Sequence, residues 1–248
     1  MGRKVISFLL ALFGLGLIWQ LGSMALDKPF LPTPWQSVRA FINLFVTGEI
    51  TVHFFVSAYR IFVSIVAAFV LAVPCGLFLG RSPRADRIFA PLIYILYPLP
   101  KVVFLPIIVV LMGLGDLPKI FLIAFVIFFQ IVVATRDSAR AVPEASLQSI
   151  RSLNASTWQI YRHLIFPHCL PQILSALRVS LGIAIAILFF AETFASTNGL
   201  GYYILDAMDR RSYDYMYGAI IAMGLLGILT YKIVDAIEAV ACRWQKYE

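Results

Sequence analysis

The chain has 248 residues, 61% of them hydrophobic and 13% charged, against roughly 45–50% and ~25% in soluble domains. A soluble fold cannot hide that much apolar surface, so the composition excludes a soluble enzyme or binding domain and indicates an integral membrane protein. Lys and Arg outnumber Asp and Glu by 20 to 13, for a net charge of +7. This excess lies between apolar segments rather than in one patch, so it reads as charge retained in cytoplasmic loops, and no nucleic-acid partner is expected.

Arg3 and Lys4 precede an apolar run over residues 5–26, long enough for a spanning helix at ~1.5 Å per residue. A cleaved signal peptide has the same start, but this run exceeds a usual signal core, so it reads as a retained first span. Residues 27–34 form a loop with three prolines. Thr33 can N-cap a helix with Pro34 at its first position. Val38, Phe41, Ile42 and Phe45 recur at helical spacing opposite Gln36, Arg39 and Asn43. The spacing predicts a short helix on the outer membrane surface, ended at Gly48.

The second span is expected at residues 61–80, opened by Arg60, with His53 in its approach. Ala72, Gly76 and Gly80 form a strip along one helix face, where small residues let another helix approach closely. The third span, residues 88–112, holds Pro91, Pro98, Pro100 and Pro106. Each proline removes a backbone donor, and broken helices at membrane depth persist only where protein or a water-filled cavity satisfies the freed carbonyls. This span is the candidate pore liner, and Lys101 sits among its prolines with no cheap place in lipid.

A fourth span follows at residues 118–135, with Gln130 as its only strongly polar side chain. Residues 136–178 are polar and basic. The fifth span, residues 179–196, contains Glu192; an outer loop over 197–214 leads to a sixth span at 215–231. Six spans place both termini on one side. Thirteen Lys and Arg flank that side, among them Arg3, Lys4, Arg81, Arg136 and Lys246, against five (Lys28, Arg39, Lys119, Arg210 and Arg211) on the other. The imbalance puts the N-terminus, the C-terminus and the central loop in the cytoplasm. Residues 1–248 thus read as one all-α transmembrane domain with a cytoplasmic loop, 136–178, inside it.

Within that loop Asn154 tolerates the left-handed conformation better than most residues and can turn the chain between residues 148–153 and 156–164. Ser156 can cap the second run, with Gln159 as its capping-box partner. Pro167 and Pro171 are expected to end that helix. Trp158, Ile160, Tyr161 and Leu164 give the loop more apolar surface than a linker needs, either for docking a partner or for packing on its own bundle.

The stretch QSIRSLNASTWQIYRHLIFP, residues 148–167, resembles the EAA loop of permease subunits of binding-protein-dependent ABC importers, whose pattern is E-A-A-x3-G-x9-I-x-L-P. Aligned on Pro167, the pattern's Glu falls on Gln148, its alanines on Ser149 and Ile150, its Gly on Asn154, its Ile on Leu164 and its Leu on Phe166. Only the Pro is identical. GLFLGRS at residues 76–82 is similar to the family's end of the second span, and YPLPKVVFLPIIVVLMGLG at 97–115 and AETFASTNGLGYYI at 191–204 are similar to its nitrate, sulfonate, taurine and thiamine-precursor branch. The resemblance implies a type I, MetI-like six-helix bundle in the bacterial cytoplasmic (inner) membrane. It also implies a homodimeric pore, an ATP-binding subunit gripping the cytoplasmic loops, and a periplasmic or extracellular solute-binding protein. On this resemblance Gln148, Ser149, Asn154, Ser156, Trp158, Tyr161, Leu164 and Pro167 couple to the ATPase. Gln148 removes the charge that the family usually shows its ATPase.

Pro98, Pro100, Lys101 and Glu192 are the candidate translocation path. Counted along a helix from Ile88, Lys101 lies ~20 Å deep, and counted from Arg178, Glu192 lies ~21 Å deep. Similar depth leaves open both a structural ion pair and a solute-path charge. His163, His168 and Cys169 have no zinc spacing and no carboxylate to orient them. The cysteines Cys75, Cys169 and Cys242 form neither a disulfide framework nor a CxxC pattern; no metal or cofactor is expected. No GxxxxGK[ST] loop occurs, so if ATP drives the protein another chain must bind it. Three classes follow: the pore subunit of an ATP-driven importer for a small solute, a stand-alone channel or secondary transporter for a small anion, and a membrane enzyme. The second often shows an inverted repeat, and none is found. The third would need a buried nucleophile–base or metal set.

Overall fold

The computed structural model describes the backbone of residues 2–246 and the side chains of residue 10 and residues 13–244. The side chains of Arg3, Lys4 and Lys246, which entered the charge count, lie outside the described residues. Eleven α-helices follow one another among the described residues: α1 Gly2–Leu26, α2 Pro34–Val46, α3 Thr51–Arg81, α4 Pro83–Leu96, α5 Leu105–Met112, α6 Leu117–Arg140, α7 Glu144–Ser152, α8 Thr157–Ile160, α9 Phe166–Thr193, α10 Leu200–Asp209 and α11 Tyr213–Ala241. Among the described residues, four stretches are long and apolar enough to cross a membrane: Thr51–Arg81, Leu117–Arg140, Thr157–Thr193 and Tyr213–Ala241. Taken together as one broken span, α4 and Lys101–Met112 make a fifth. The first expected span, residues 5–26, falls on α1, whose described apolar part is Phe13–Leu26.

The chain divides into two compact units, Met1–Ser57 with Glu192–Leu226, and Ala58–Ala191 with Gly227–Glu248. In the first, α2 begins as its sequence dictates. The Thr33 hydroxyl accepts from the Gln36 N–H, the Gln36 side chain accepts from the Thr33 N–H at 2.8 Å, and Pro34 stands at the first helical position. Its packed face differs from the expected stripe. Ser37, Ala40 and Leu44 are buried, whereas Val38 and Ile42 are exposed. The reason is Gly218: a Cβ there would come within 2.9 Å of the Phe41 backbone nitrogen, so α11 lies against the small residues of α2 and leaves the larger ones facing outwards. Trp19 Nε1 donates to the Pro32 carbonyl at 3.0 Å and ties α1 to the proline loop.

In the second unit the small-residue strip is a close-approach seam. A Cβ on Gly76 would lie 2.5 Å from Thr135 Cβ, one on Gly80 would lie 2.5 Å from the Arg136 carbonyl oxygen, and Ala72 is fully buried. Only residues without bulk there let α3 reach α6. At one end of that seam, Asp86 in the first turn of α4 takes a two-pronged contact from Arg136, whose Nη2 is 3.0 Å away, and a second contact from Arg140 at 2.9 Å. Arg178 of α9 pairs with Asp235 at 2.8 Å and with Glu238 on α11. Arg60, with 2% of its side chain exposed, donates to Asp116 at 2.6 Å.

Several helices outrun the expected spans, because polar residues at their ends are paired rather than solvated. α3 begins at Thr51, so His53 lies inside it. α4 begins at Pro83, capped by Ser82, and α6 continues to Arg140. The stretch 197–214, expected as a loop, contains a helix of its own, α10.

Candidate functional site

The central loop is two helices around an elbow. α7 is held by Leu147, 1% exposed, and leaves Gln148 and Ser149 exposed. Asn154 turns the chain with φ +55, in the left-handed region. Ser156 then caps α8 through a complete capping box: its hydroxyl accepts from the Gln159 N–H, and Gln159 Oε1 accepts from the Ser156 N–H at 2.7 Å. Leu153 and Trp158 are 80% and 71% exposed on either side of the elbow. Tyr161 and Leu164 are half-buried. An apolar groove separates Trp158, Tyr161 and Phe166 from Val73, Leu77 and Phe78 of α3.

Pro167 and Pro171 do not end this helix. The run from Thr157 to Thr193 is one continuous apolar stretch, with a π-helical turn at Tyr161–Ile165 just before Pro167 and with Pro171 inside α9. Wider turns of this kind accommodate an interruption of the ordinary hydrogen-bond ladder, so α8 and the fifth span form one piece.

The third span is broken as its prolines require. α4 stops at Leu96, Pro98 and Pro100 lie exposed in the break, a 3₁₀ turn covers Lys101–Phe104, and the two halves meet at 84°. The depth count that placed Lys101 ~20 Å along a straight helix therefore does not hold. Lys101 is 8% exposed. Its ammonium donates to the carbonyls of Tyr97 at 2.9 Å and Leu99 at 3.5 Å, which the break frees, and it stands 5.0 Å from the Phe129 ring centroid. The Tyr97 hydroxyl donates to Gln130 Oε1 at 2.8 Å. Together these residues, with Ile183, Ile187 and Phe190 of α9, line a cavity of about 290 Å³.

Glu192 is fully buried in the first unit and organises the start of α10. Ser57 Oγ donates to its carboxylate, and the Gly201 N–H donates to Oε2 at 2.8 Å. Ser57 Oγ also accepts from the Leu200 N–H at 2.8 Å, and His53 Nδ1 accepts from the Gly199 N–H at 3.1 Å. Gly199, at φ +109, has no side chain to cap the helix. The first N–H groups of a helix need acceptors, and here Glu192, Ser57 and His53 supply them from other helices. One turn further on, the Tyr203 hydroxyl donates to Glu49 at 2.8 Å. Burial, and then that hydrogen bond, push its phenol above the ordinary range.

The sequence-expected residues thus fall into three places. Gln148, Ser149, Asn154, Ser156, Trp158, Tyr161, Leu164 and Pro167 share the loop and its helix. Pro98, Pro100 and Lys101 share the break, and Glu192 is the cap of α10. Tyr97 and Phe129 beside Lys101, and Ser57 and His53 beside α10, were not singled out for those roles. A tyrosine, a phenylalanine and a serine in apolar helices look like ordinary lining residues; the signals for this place were Lys101 and the prolines around it. Among the described residues no group of three His, Cys, Asp or Glu side chains could hold a metal ion.

Comparison with known proteins agrees with this architecture. The chain is 28% identical to the taurine transport system permease protein TauC of Escherichia coli K12, over 91% of this chain and 84% of that protein. It is 30% identical to the putative aliphatic sulfonates transport permease protein SsuC of Bacillus subtilis 168, over 92% and 83%. With the formylaminopyrimidine transport permease protein ThiX of Halalkalibacterium halodurans the identity is 25%, over 92% of both chains. In fold it is similar to a chain of the inward-facing MetNI methionine ABC transporter, with TM-score 0.65 and 17% identity, covering 79% of this chain and 97% of that one. Residues 72–243 match the family of binding-protein-dependent transport system inner membrane components. The chain belongs to that family and is a multi-pass inner-membrane permease of an ABC importer.

Proposed function

We propose that this permease is driven by a separate ATP-binding subunit that grips residues 144–167 from the cytoplasm. In this reading two copies of the chain enclose the pore, both termini are cytoplasmic, and an external binding protein delivers the solute. The observation that carries the reading is the loop's construction. A left-handed elbow at Asn154 and a full capping box at Ser156 hold α7 and α8 in fixed geometry, while Leu153 and Trp158 stand exposed beside it. Exposed large apolar side chains on a rigid, capped turn suit docking to a partner. Because α8 runs without a stop into α9, a push on the loop reaches the spanning helix directly.

The path itself is assigned to Pro98, Pro100 and Lys101 at the break in the third span, with Glu192 holding α10 in place. Hydrolysis of ATP belongs to the partner chain. Relatives named for taurine and aliphatic sulfonates make a small sulfur- or nitrogen-containing organic compound the solute class of this reading. The test is purification from the native membrane in mild detergent. An ATPase subunit should co-purify with the wild type and be lost from a Leu153→Asp/Trp158→Asp variant. Recovery of the wild-type chain with no ATPase, or an unchanged complex in the variant, contradicts the reading.

A further inference from the structure

We propose that the cavity at the break in the third span is an anion subsite, in which Lys101 and Gln130 hold a compact oxyanion head and Phe129, Ile183, Ile187 and Phe190 enclose a short apolar tail. The inference deepens the path assignment above and rests on it.

Three observations carry it. The first is charge. Lys101 is more than nine-tenths buried, and its partners are two carbonyls and the rings of Tyr97 and Phe129, none of them a carboxylate. Carbonyl dipoles and a ring face soften the burial of an ammonium but leave its charge uncancelled, and an anion in the adjoining cavity would cancel it. Two of the three ammonium donors are occupied, so one remains for a ligand.

The second is the neighbouring polar pair. Tyr97 donates to Gln130 Oε1, which fixes the amide so that its N–H groups, which can only donate, are the free end. An ammonium and an amide N–H beside one cavity suit an oxygen-rich anion, and the ammonium repels a cation. The third is size. About 290 Å³ stands at the lower limit of pockets for drug-sized ligands, roughly 300–1,000 Å³. The walls beyond Lys101 are aromatic and aliphatic. A carboxylate or sulfonate on two or three carbons fits both limits; a dianion or a peptide does not.

Ligand-induced thermal stabilisation tests the site on the full chain purified with its co-purifying partners, independently of transport. Ethanesulfonate should raise the unfolding temperature by a few degrees at concentrations well above its Kd, and the uncharged ethyl methyl sulfone should not. Propionate in a parallel arm tells a carboxylate head from a sulfonate head, and stabilisation by either anion supports the site. Lys101→Met should abolish the shift, Lys101→Arg should keep at least part of it, and Tyr97→Phe should weaken binding severalfold. Equal shifts with the anions and the sulfone, no shift with either anion, or an unchanged shift in Lys101→Met overturns the proposal. So does equal loss in Lys101→Met and Lys101→Arg, because a side chain that merely caps the end of α4 would give that result. ATP-dependent uptake without anion binding sinks the subsite alone, and anion binding without ATP dependence sinks the transport reading alone.

Discussion

Ser57 Oγ stands 2.8 Å from both carboxylate oxygens of Glu192, and the same hydroxyl accepts the Leu200 N–H at 2.8 Å. A serine of α3 and a glutamate of α9 therefore start α10 jointly. Glu192→Ala leaves the Gly201 N–H and the Ser57 hydroxyl without their acceptor, at roughly 1–3 kcal/mol for each stranded donor. Hydrogen exchange read by mass spectrometry should show faster exchange across α10 in this variant, with peptides from α7 unchanged. Glu192→Gln, which keeps an acceptor oxygen, should show a smaller change. Unaltered protection of α10 in Glu192→Ala would remove the carboxylate from this role.

Gly80→Ala should destabilise the protein, because the added methyl falls 2.5 Å from the Arg136 carbonyl oxygen, a backbone atom that cannot move aside. Overpacking of this kind costs about 1–3 kcal/mol. Gly182→Ala meets nothing within 4 Å and should leave thermal unfolding unchanged or slightly improved, since alanine is the better helix former. A matched pair of melting curves in detergent decides the comparison.

Asp86→Asn should be destabilising by up to about 3 kcal/mol, because it removes the two-pronged partner of Arg136, 5% exposed, and leaves that charge compensated only by the exposed Asp137 at 3.2 Å. Asp86→Asn combined with Arg136→Met should recover much of that loss, since the poorly compensated charge is then gone. Additive losses in the double variant would mean that the two residues act separately.

Asn154→Gly should be neutral, because φ +55 suits glycine as well as asparagine. Asn154→Val should strain the elbow by about 1–2 kcal/mol and lower ATP-driven uptake while ATP hydrolysis continues. The check is the number of solute molecules carried per ATP hydrolysed, which falls in Val and not in Gly if the elbow transmits force.

Much of this architecture was legible in the sequence, for reasons that differ by element. Thr33–Pro34 and Ser156–Gln159 are local signals: the Thr33 cap and the Ser156 capping box both formed where their residues placed them. The proline cluster announced a break in the third span, but its 84° bend depends on packing that no local pattern encodes. That is why counting residues to Lys101 misjudged its surroundings. Pro167 and Pro171 misled in the opposite direction, because a π-helical turn absorbed the interruption and kept the helix whole. The side of α2 that packs on protein had no signature, because Gly218 on a distant helix chose the face of Ser37, Ala40 and Leu44. Glu192 takes the Gly201 N–H and a hydroxyl from distant Ser57, and neither a backbone donor nor a serine so far away in the chain has a signature in a sequence.

The most direct test of the account is uptake of radiolabelled ethanesulfonate into vesicles holding the permease with its co-purified partners. The account predicts uptake that requires ATP, gains nothing from an imposed proton or sodium gradient, and falls to background in the Leu153→Asp/Trp158→Asp variant. Uptake driven by an ion gradient without ATP, or ATP-driven uptake indifferent to the loop, would contradict it.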